Sequence, residues 1–161
     1  MPDPWKPAAT VAAIIEQDGR FLLVEEQTDD GIRFNQPAGH LEPNESLEQA
    51  VVRETLEETA YDFTPTALVG MYLLHYQSPD DSRNRSYLRF AFAGTLGDFR
   101  NLPLDADILR TVWMTYDEIA ACRDRHRSPL LIQCIEDFLK GQSAPLSLLS
   151  AQTVILGNTN E

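Results

Sequence analysis

Three glutamates, Glu54, Glu57 and Glu58, are the residues of this sequence whose spacing is best suited to chemistry. Residues three or four apart lie on the same side of a helix, because each residue advances the helix by about 100°. The three carboxylates would repel one another, and the macrodipole at a helix C-terminus favours cations instead. A hard divalent cation such as Mg²⁺ prefers oxygen ligands and would offset both effects. The cluster therefore predicts a metal site, with a solvated acidic helix end as the alternative.

The element that must carry these carboxylates is a predicted helix over residues 46–59. Ser46 followed by Gln49 forms a capping box at its start. The side that becomes acidic in the last two turns is apolar in the first two, as expected for a helix that packs on a core. Arg53 lies four residues before Glu57, and we expect its guanidinium to orient the carboxylates.

The charge balance argues against one class of partner. The chain has 25 acidic and 13 basic residues, which give a formal net charge of −12. An acidic surface repels the phosphate backbone, so we expect no nucleic-acid polymer as a partner. A small phosphate compound would need positive charge at its binding site, and a divalent cation is the simplest source.

No membrane partner is expected either. The longest apolar runs, near Ile14 and Leu22, are about five residues long, far below the ~20 needed for a spanning helix. The first residues lack the basic and apolar regions of a secretory signal, so we expect a cytoplasmic protein. Cys122 and Cys134 have no zinc-like spacing, and we expect buried, reduced thiols.

The remaining segments predict alternating strands and helices. Asp18-Gly19 is a turn signal between two strand-like runs, and Pro37 favours an extended segment before Gly39. Strands are predicted over residues 10–15, 20–26, 67–76, 87–96 and 108–114. Helices are predicted over 116–121 and 129–140, a polar loop over 27–33 and an extended segment over 34–39.

This order of elements predicts one domain of the α/β (α+β) class, with a mixed sheet covered by helices on both faces. We assign residues 1–161 to that domain. The tail, 142–161, is ambiguous: its middle, 146–156, is apolar enough to dock, and its last residues are expected to fray.

The acidic helix lies within a longer pattern. The sequence from Gly39 to Tyr61 resembles the Nudix box, GX5EX7REUXEEXGU, in which U is an aliphatic residue. The opening glycine and every charged position match in register: Gly39, Glu45, Arg53, Glu54, Glu57 and Glu58.

Three positions depart from that pattern. Thr55 and Tyr61 replace aliphatic residues, and Ala60 replaces the second glycine. Glycine adopts a left-handed helix end freely, whereas alanine adopts it at a penalty of about 1 kcal/mol or more. We therefore expect a change in the local geometry of the turn at Ala60 and no loss of a metal ligand.

The resemblance implies an α-β-α sandwich with a mixed sheet between helices, and hydrolysis of nucleoside diphosphates linked to another moiety. It implies Mg²⁺ or Mn²⁺ bound by Glu57 and Glu58, with the carbonyl of Gly39 as a candidate third ligand. Glu54 would be a further ligand or the base that activates water. Arg53 would support this catalytic set, together with Glu45.

Residues 35–42, 88–90 and 127–130 are similar to a bacterial subgroup of the family, the NudJ-type phosphatases. That resemblance implies hydrolysis of nucleoside tri- and diphosphates and of pyrimidine pyrophosphates related to thiamine biosynthesis. On this reading Arg89 holds a terminal phosphate, and Gln36 and His40 contact the substrate. Ion pairing of Arg89 on the surface and simple packing of His40 in its loop are the alternatives.

Two other functions remain open. One is an ADP-ribose, dinucleotide or sugar-nucleotide pyrophosphatase that uses the same metal site. The other is a catalytically silent nucleotide-binding domain, although such domains commonly lose carboxylates of the box and this sequence keeps them. In either case a small phosphate compound is the expected partner, and the sequence leaves the oligomeric state open.

Several residues outside the box have two interpretations. Asp105 and Asp107 are either a distal metal ligand or base, or a solvated turn before a strand. Four aromatic residues are expected mainly in the core, with stacking on a base as the alternative: Phe34, Tyr72, Tyr76 and Trp113.

Overall fold

The structure is a computed structural model that describes residues 4–156. Its strands are β1 (Ala8–Ile14), β2 (Glu16–Gln17), β3 (Arg20–Thr28), β4 (Gly31–Asn35), β5 (Ala38–His40), β6 (Tyr61–Tyr76), β7 (Arg85–Phe99) and β8 (Ile108–Thr115). Its α-helices are α1 (Leu47–Thr59), α2 (Tyr116–Ala121) and α3 (Leu130–Leu139). No described helix is long and apolar enough to cross a membrane. The cytoplasmic location stays a prediction.

The first sheet is mixed, as predicted. Its strand order is β5-β1-β7-β6, in which β1 and β7 run parallel and the other neighbours run antiparallel. The parallel pair joins a strand near the start of the chain to one about 80 residues later, so a long connection that includes α1 must cross between them. This sheet is the platform for the site described below.

The second sheet is antiparallel, with β3 between β4 and β8 and the short β2 paired to one end of β3. The polar loop predicted over 27–33 is wrong, because those residues form the end of β3, a turn and the start of β4. Thr28 pairs with Gly31, and Gly31 has a φ of 96°, a conformation that glycine adopts without strain. Asp29 and Asp30 thus make a hairpin turn that polarity alone did not distinguish from a loop.

Helices pack on both faces of the sheets, which confirms the predicted sandwich. Alternate residues of β1 and β3 point to opposite faces, so each strand contributes to two apolar clusters. On the α1 side the cluster contains Val11, Ala13, Ile15, Leu22, Ala50, Val51, Phe63, Leu68 and Phe92. On the side of α2 and α3 it includes Ile14, Phe21, Leu23, Val69, Ile119, Leu131 and Ile135.

Strand β6 begins six residues earlier than predicted, at Tyr61. Pro65 obscured this start, since proline cannot donate a hydrogen bond to a neighbouring strand. The structure accommodates it at a break in the register between Pro65 and Ala67, one of three irregularities where β6 pairs with β7. Such bulges bend a strand and permit residues that a regular ladder would exclude.

The tail docks over a shorter stretch than predicted. Ala144 exchanges backbone hydrogen bonds with Leu68 of β6, at 2.7 and 2.9 Å, and Leu146 and Leu149 pack on the α1-side cluster. Residues 154–156 are exposed, so the docked part ends near Leu149 instead of reaching 156. The predicted fraying at 157–161 lies outside the described residues.

Candidate active site

The acidic end of α1 lies against the edge strand β5. The backbone N–H of Ala38 donates a hydrogen bond of 2.9 Å to Oε2 of Glu58. At Gly39 the chain approaches Glu54 so closely that an added Cβ would lie 2.1 Å from its carboxyl carbon. A larger residue at position 39 would displace this carboxyl group, so the first residue of the box lets the Glu54 carboxylate lie against β5.

Arg53 ties the acidic residues together. Its guanidinium donates two hydrogen bonds to Glu45, at 2.7 and 3.0 Å, and a third to the carbonyl of His40 at 2.9 Å. Nη1 also donates to Oε1 of Glu54 at 2.7 Å and to Oε2 of Glu57 at 3.0 Å. These hydrogen bonds, led by those to Glu45, raise the pKa of Arg53 further above its usual value. The predicted orienting role of Arg53 matches this geometry.

Burial perturbs two of the three carboxyls. Glu58 is 8% exposed, and desolvation raises its pKa to about 9, with Glu54, Glu26 and Asp105 adding repulsion. The Ala38 N–H opposes this rise but does not cancel it. Desolvation also raises the pKa of Glu54, against the opposing effect of Arg53. Ionising both carboxyls is therefore costly in the protein alone, and a bound cation would offset that cost.

Each of the three carboxylates has one oxygen that accepts a hydrogen bond from the described residues and one that does not. Arg53 donates to Oε1 of Glu54 and to Oε2 of Glu57, and the Ala38 N–H donates to Oε2 of Glu58. Among the residues that the structure describes, the other oxygen of each carboxylate accepts no hydrogen bond from the protein. Three anchored carboxylates with three free oxygens suit a hard cation that takes few protein ligands and completes its shell with water and phosphate.

The carboxylates open onto a cleft of about 910 Å³, within the usual range for small-molecule sites. Basic residues line it as well, although the chain is strongly acidic. In residues 4–156 most arginines form ion pairs with carboxylates, and the exceptions are Arg33, Arg83, Arg85 and Arg89. Three of these four line the cleft: Arg83, Arg85 and Arg89.

Arg89 is the most informative of the three because it is 7% exposed. Its hydrogen-bond partner is the neutral amide of Gln36, whose Oε1 accepts from Nη1 at 3.2 Å. A buried cation beside a neutral partner is costly unless an anion joins it. Arg89 therefore has the position and charge suited to binding an anion, and its contact with a phosphate stays a prediction.

A comparison with protein families decides what this arrangement belongs to. The NUDIX domain model matches residues 4–133, which include the whole acidic helix and both sheets. The chain belongs to the Nudix family. It is therefore a Nudix hydrolase, and hydrolysis of a phosphoanhydride bond is the chemistry of its site.

Individual relatives agree with this assignment. Phosphatase NudJ of Escherichia coli K12 is 36% identical over 146 residues, which cover 90% of this chain and 92% of that protein. The structure of a NUDIX hydrolase from Nitrosomonas europaea is 48% identical, with a TM-score of 0.84 over 91% of this chain and 98% of that one. An ADP-ribose pyrophosphatase from Streptococcus suis is 20% identical, with a TM-score of 0.61 over 81% and 91% of the two chains, and shows the fold alone.

The other predicted residues of this Nudix hydrolase fall into two groups. His40 and Asp105 line the cleft, and Asp105 adds to the raised pKa of both Glu54 and Glu58. Asp107 does not line it, and its carbonyl accepts the N–H of Gln27 at 2.8 Å.

Gln36 does not reach the cleft, contrary to its predicted substrate contact. It is 1% exposed, and its Nε2 donates to the carbonyl of Leu131 at 2.7 Å while Oε1 holds Arg89. Both ends of the amide are thus used by the protein. The structure places Gln36 beneath Arg89 as a support for that guanidinium.

The aromatic residues and cysteines follow the expected pattern with one exception each. Phe34 and Tyr72 are core residues, and Trp113 packs on the α1-side cluster. Tyr76 instead is 40% exposed and lines the cleft. Both cysteines are free, Cys134 buried and Cys122 only partly so.

Sequence reasoning missed two polar residues at the base of the cleft. Glu26, at the end of β3, and Asn35, at the end of β4, both line it. Oε1 of Glu26 and Oδ1 of Asn35 are buried without a hydrogen-bond partner in the described chain, and Arg127 Nε lies 3.6 Å from that glutamate oxygen. Their positions depend on the pairing of β3 with β4, so no local motif could have indicated them.

The donor set fits the metal that the family uses, although it is not a ready-made cage. Within residues 4–156, no three His, Cys, Asp or Glu side chains converge closely enough to enclose an ion by themselves. Mg²⁺ does not require such a cage, because it usually binds one or two carboxylates together with water and substrate phosphate.

Proposed function

We propose that this Nudix hydrolase is a Mg²⁺- or Mn²⁺-dependent phosphatase that releases phosphate from nucleoside tri- and diphosphates or from related pyrimidine pyrophosphates. The observation that carries the proposal is that one cleft is lined by both negative and positive side chains. Carboxylates with free oxygens, from α1, and arginines without carboxylate partners among the described residues line the same cleft. A metal-bound phosphate chain is complementary to both kinds of charge.

The residues of α1 have distinct roles in this proposal. Glu57 and Glu58 bind the metal, with the Gly39 carbonyl as a third ligand, and Glu54 is a further ligand or the base. Oε2 of Glu54 is the atom available for either task, since Arg53 holds Oε1 at 2.7 Å. When bound, the metal neutralises phosphate oxygens and lowers the pKa of a coordinated water.

The basic side positions the substrate. Arg89 binds the terminal phosphate, because its guanidinium is buried, charged and fixed by Gln36. His40, which follows Gly39 and lines the cleft, contacts the substrate as well. Positioning and charge stabilisation supply most of the rate acceleration in phosphoryl transfer, so these contacts govern both binding and turnover.

The proposal is tested by the products formed from a panel of compounds in Mg²⁺ and in EDTA. The panel contains nucleoside di- and triphosphates, thiamine pyrophosphate and ADP-ribose, with orthophosphate and nucleotide products measured separately. We expect Mg²⁺-dependent orthophosphate release from the nucleotides.

Two outcomes would contradict the proposal in different ways. Cleavage of ADP-ribose alone, into a mononucleotide and a second phosphorylated fragment, would keep the metal site and replace the substrate class. Binding of nucleotides without turnover of any compound would identify a silent nucleotide-binding domain.

A further inference from the structure

A second cavity of about 670 Å³ continues from the cleft towards the end of the β6–β7 hairpin. The two share part of their lining, so a ligand can extend from one into the other. The shared residues are His40, Tyr76, Gln77, Arg85 and Tyr87. On the far side, Trp5 and Lys6 from the segment before β1 complete the wall.

Strand register places the important residues on one face of the mixed sheet. Tyr76 pairs with Arg85 across the β6–β7 ladder, and residues directly opposite in an antiparallel pair share a face. Tyr87 and Arg89 are two residues apart on β7, so they also share a face and lie about 7 Å apart along the strand. A ligand with a phosphate at Arg89 has Tyr87 within reach on the same face.

A small residue, Ala8, lines the second cavity beside Tyr87. Tyr87 pairs with Ala8 in the parallel β1–β7 ladder, and a methyl group there leaves space above the strand.

Three rings surround that space. Tyr76 and Tyr87 pack edge to face, with ring centroids 6.1 Å apart and an interplanar angle of 86°. The ring of His40 lies 6.4 Å from that of Tyr87. Tyr76 is 40% exposed and His40 is exposed as well, so ring surface remains open to a ligand. Aromatic side chains at such a position are suited to stacking on a planar heterocycle.

Charge favours the same kind of ligand. Arg85 lines both cavities and has no carboxylate within ion-pair distance among the described residues. A ligand that bears a ring and a phosphate chain would place its anionic part along Arg85 and Arg89 while its ring meets the tyrosines. A purely inorganic polyphosphate would use the arginines and leave the rings uncovered.

We propose that the groove formed by His40, Tyr76 and Tyr87 binds the aromatic heterocycle of the phosphate substrate, while its phosphate chain lies between Arg89 and the carboxylates of α1. The inference rests on the proposed function for its ligand class, since both describe one continuous site. It identifies Tyr87 and Tyr76 as residues that determine specificity for substrates with a planar ring.

The test compares a phosphate ligand that carries a planar ring with one that carries none. Isothermal titration calorimetry with Mg²⁺ measures the Kd of a non-hydrolysable imidotriphosphate analogue of a nucleotide and the Kd of inorganic tripolyphosphate. Removing one aromatic partner of a stacked base typically costs a factor of about ten in affinity. We expect Tyr87→Leu to weaken the nucleotide analogue by about that factor and to leave tripolyphosphate unchanged.

Matched variants distinguish the loss of stacking from a general disturbance of the fold or of the binding site. Tyr87→Phe keeps the ring and should bind both ligands like the wild type. Phe99→Leu removes an exposed ring that pairs with Tyr61 at a centroid distance of 5.0 Å and lines neither cavity, so it should also change neither Kd. Tyr76→Leu provides a second test if Tyr87→Leu does not fold.

The outcomes distinguish this inference from the proposed function. Equal weakening of both ligands by Tyr87→Leu and Tyr76→Leu, or no weakening of either, would overturn the ring groove. Selective weakening of the nucleotide analogue without any hydrolysis of nucleotides would support the groove and contradict the proposed phosphatase activity.

Discussion

Gly39 and Glu54 show how a single missing side chain sets the geometry of the site. The glycine lets strand β5 lie against the carboxylate, whose Oε1 is held by Arg53. A methyl group at position 39 would occupy the space of the carboxyl group itself. The carboxylate or the strand would therefore have to move.

Gly39→Ala should consequently lower Mg²⁺-dependent turnover by about 100-fold, the scale on which small displacements of a reacting group act. Steady-state hydrolysis of a nucleotide substrate measures this. Gly97→Ala, in β7, is a suitable control because the new methyl would meet the Cβ of Asp62 at 3.1 Å and no cleft residue. Full activity of Gly39→Ala would show that the close approach does not matter.

Glu58 links the acidic cluster to the pH dependence of stability. Its pKa is about 9 in the folded protein and near 4.5 in the unfolded chain. Between these values the native state binds a proton that the unfolded state has released, so the free energy of unfolding decreases as the pH rises. Carboxyls with lowered pKa values, such as Glu25 and Glu45, change the stability only at pH values below about 4.5.

Without metal, the wild type should therefore lose stability between about pH 5 and pH 9, and Glu58→Gln should reduce that loss. Urea unfolding in EDTA at several pH values measures both slopes. Identical slopes in the two proteins would contradict the raised pKa of Glu58.

The sequence predicted the residues of the box well because its spacing is local. One helix and the adjacent loop fix Glu45, Arg53, Glu54, Glu57 and Glu58, and the structure brings all five together. Glu26, Asn35 and the partnerless arginines were not predicted. Their position in one cleft depends on strand register, and the lack of partners for the arginines depends on which ion pairs form. Neither can be predicted from residues close in sequence.

At the scale of elements, the turn after α1 is preserved despite the missing glycine. Ala60 has φ 59° and ψ 18°, the left-handed conformation, and its N–H donates to the carbonyl of Leu56 at 2.8 Å. The expected change in the geometry of this turn is therefore wrong. Packing holds the strained residue, whose side chain is 0% exposed, and strand β6 starts immediately after it.

Two alanine-to-glycine substitutions test this strain. Ala60→Gly loses a buried methyl, worth about 0.8 kcal/mol, but gains about 1 kcal/mol from relief of the left-handed conformation. Its stability should change by less than about 1 kcal/mol. Ala50→Gly, equally buried but within α1, should lose about 2 kcal/mol because helix propensity and burial both decrease.

Chemical denaturation of the two variants measures these differences. An equal loss of stability in both would show that Ala60 carries no strain.

At the scale of the whole molecule, the docked tail closes the α1-side core. Leu146 and Leu149 pack against it, and Ala144 extends the edge of β6. The composition of 146–156 predicted docking correctly for its first part. It failed beyond that, because residues 154–156 are apolar but remain exposed, and apolar composition alone does not show where docking ends.

Two truncations distinguish the docked part from the rest. Removal of residues 143–161 should cost about 2–4 kcal/mol, from two partly buried leucines and two backbone hydrogen bonds. Removal of 151–161 should cost almost nothing. Thermal unfolding compares both with the full chain, and similar melting temperatures for the two truncations would contradict the assigned boundary.

The two sheets and α1 together create a cleft lined by free carboxylate oxygens and by cations that have no carboxylate partner among the described residues. The sequence predicted the acidic side and Arg89. The rest of the basic side and the ring groove appear only when β7 is placed beside both β1 and β6. The central claim is that the acidic side binds the divalent metal on which hydrolysis depends.

The most direct test is nucleotide hydrolysis by the wild type, Glu57→Gln and Glu48→Gln at increasing Mg²⁺ concentrations. Glu48 is in the first turn of the same helix and does not line the cleft, so its variant controls for loss of one negative charge from α1. We predict that Glu57→Gln lowers kcat by about 100-fold or more while Glu48→Gln matches the wild type. Unchanged Mg²⁺-dependent turnover in Glu57→Gln would contradict the assigned metal site.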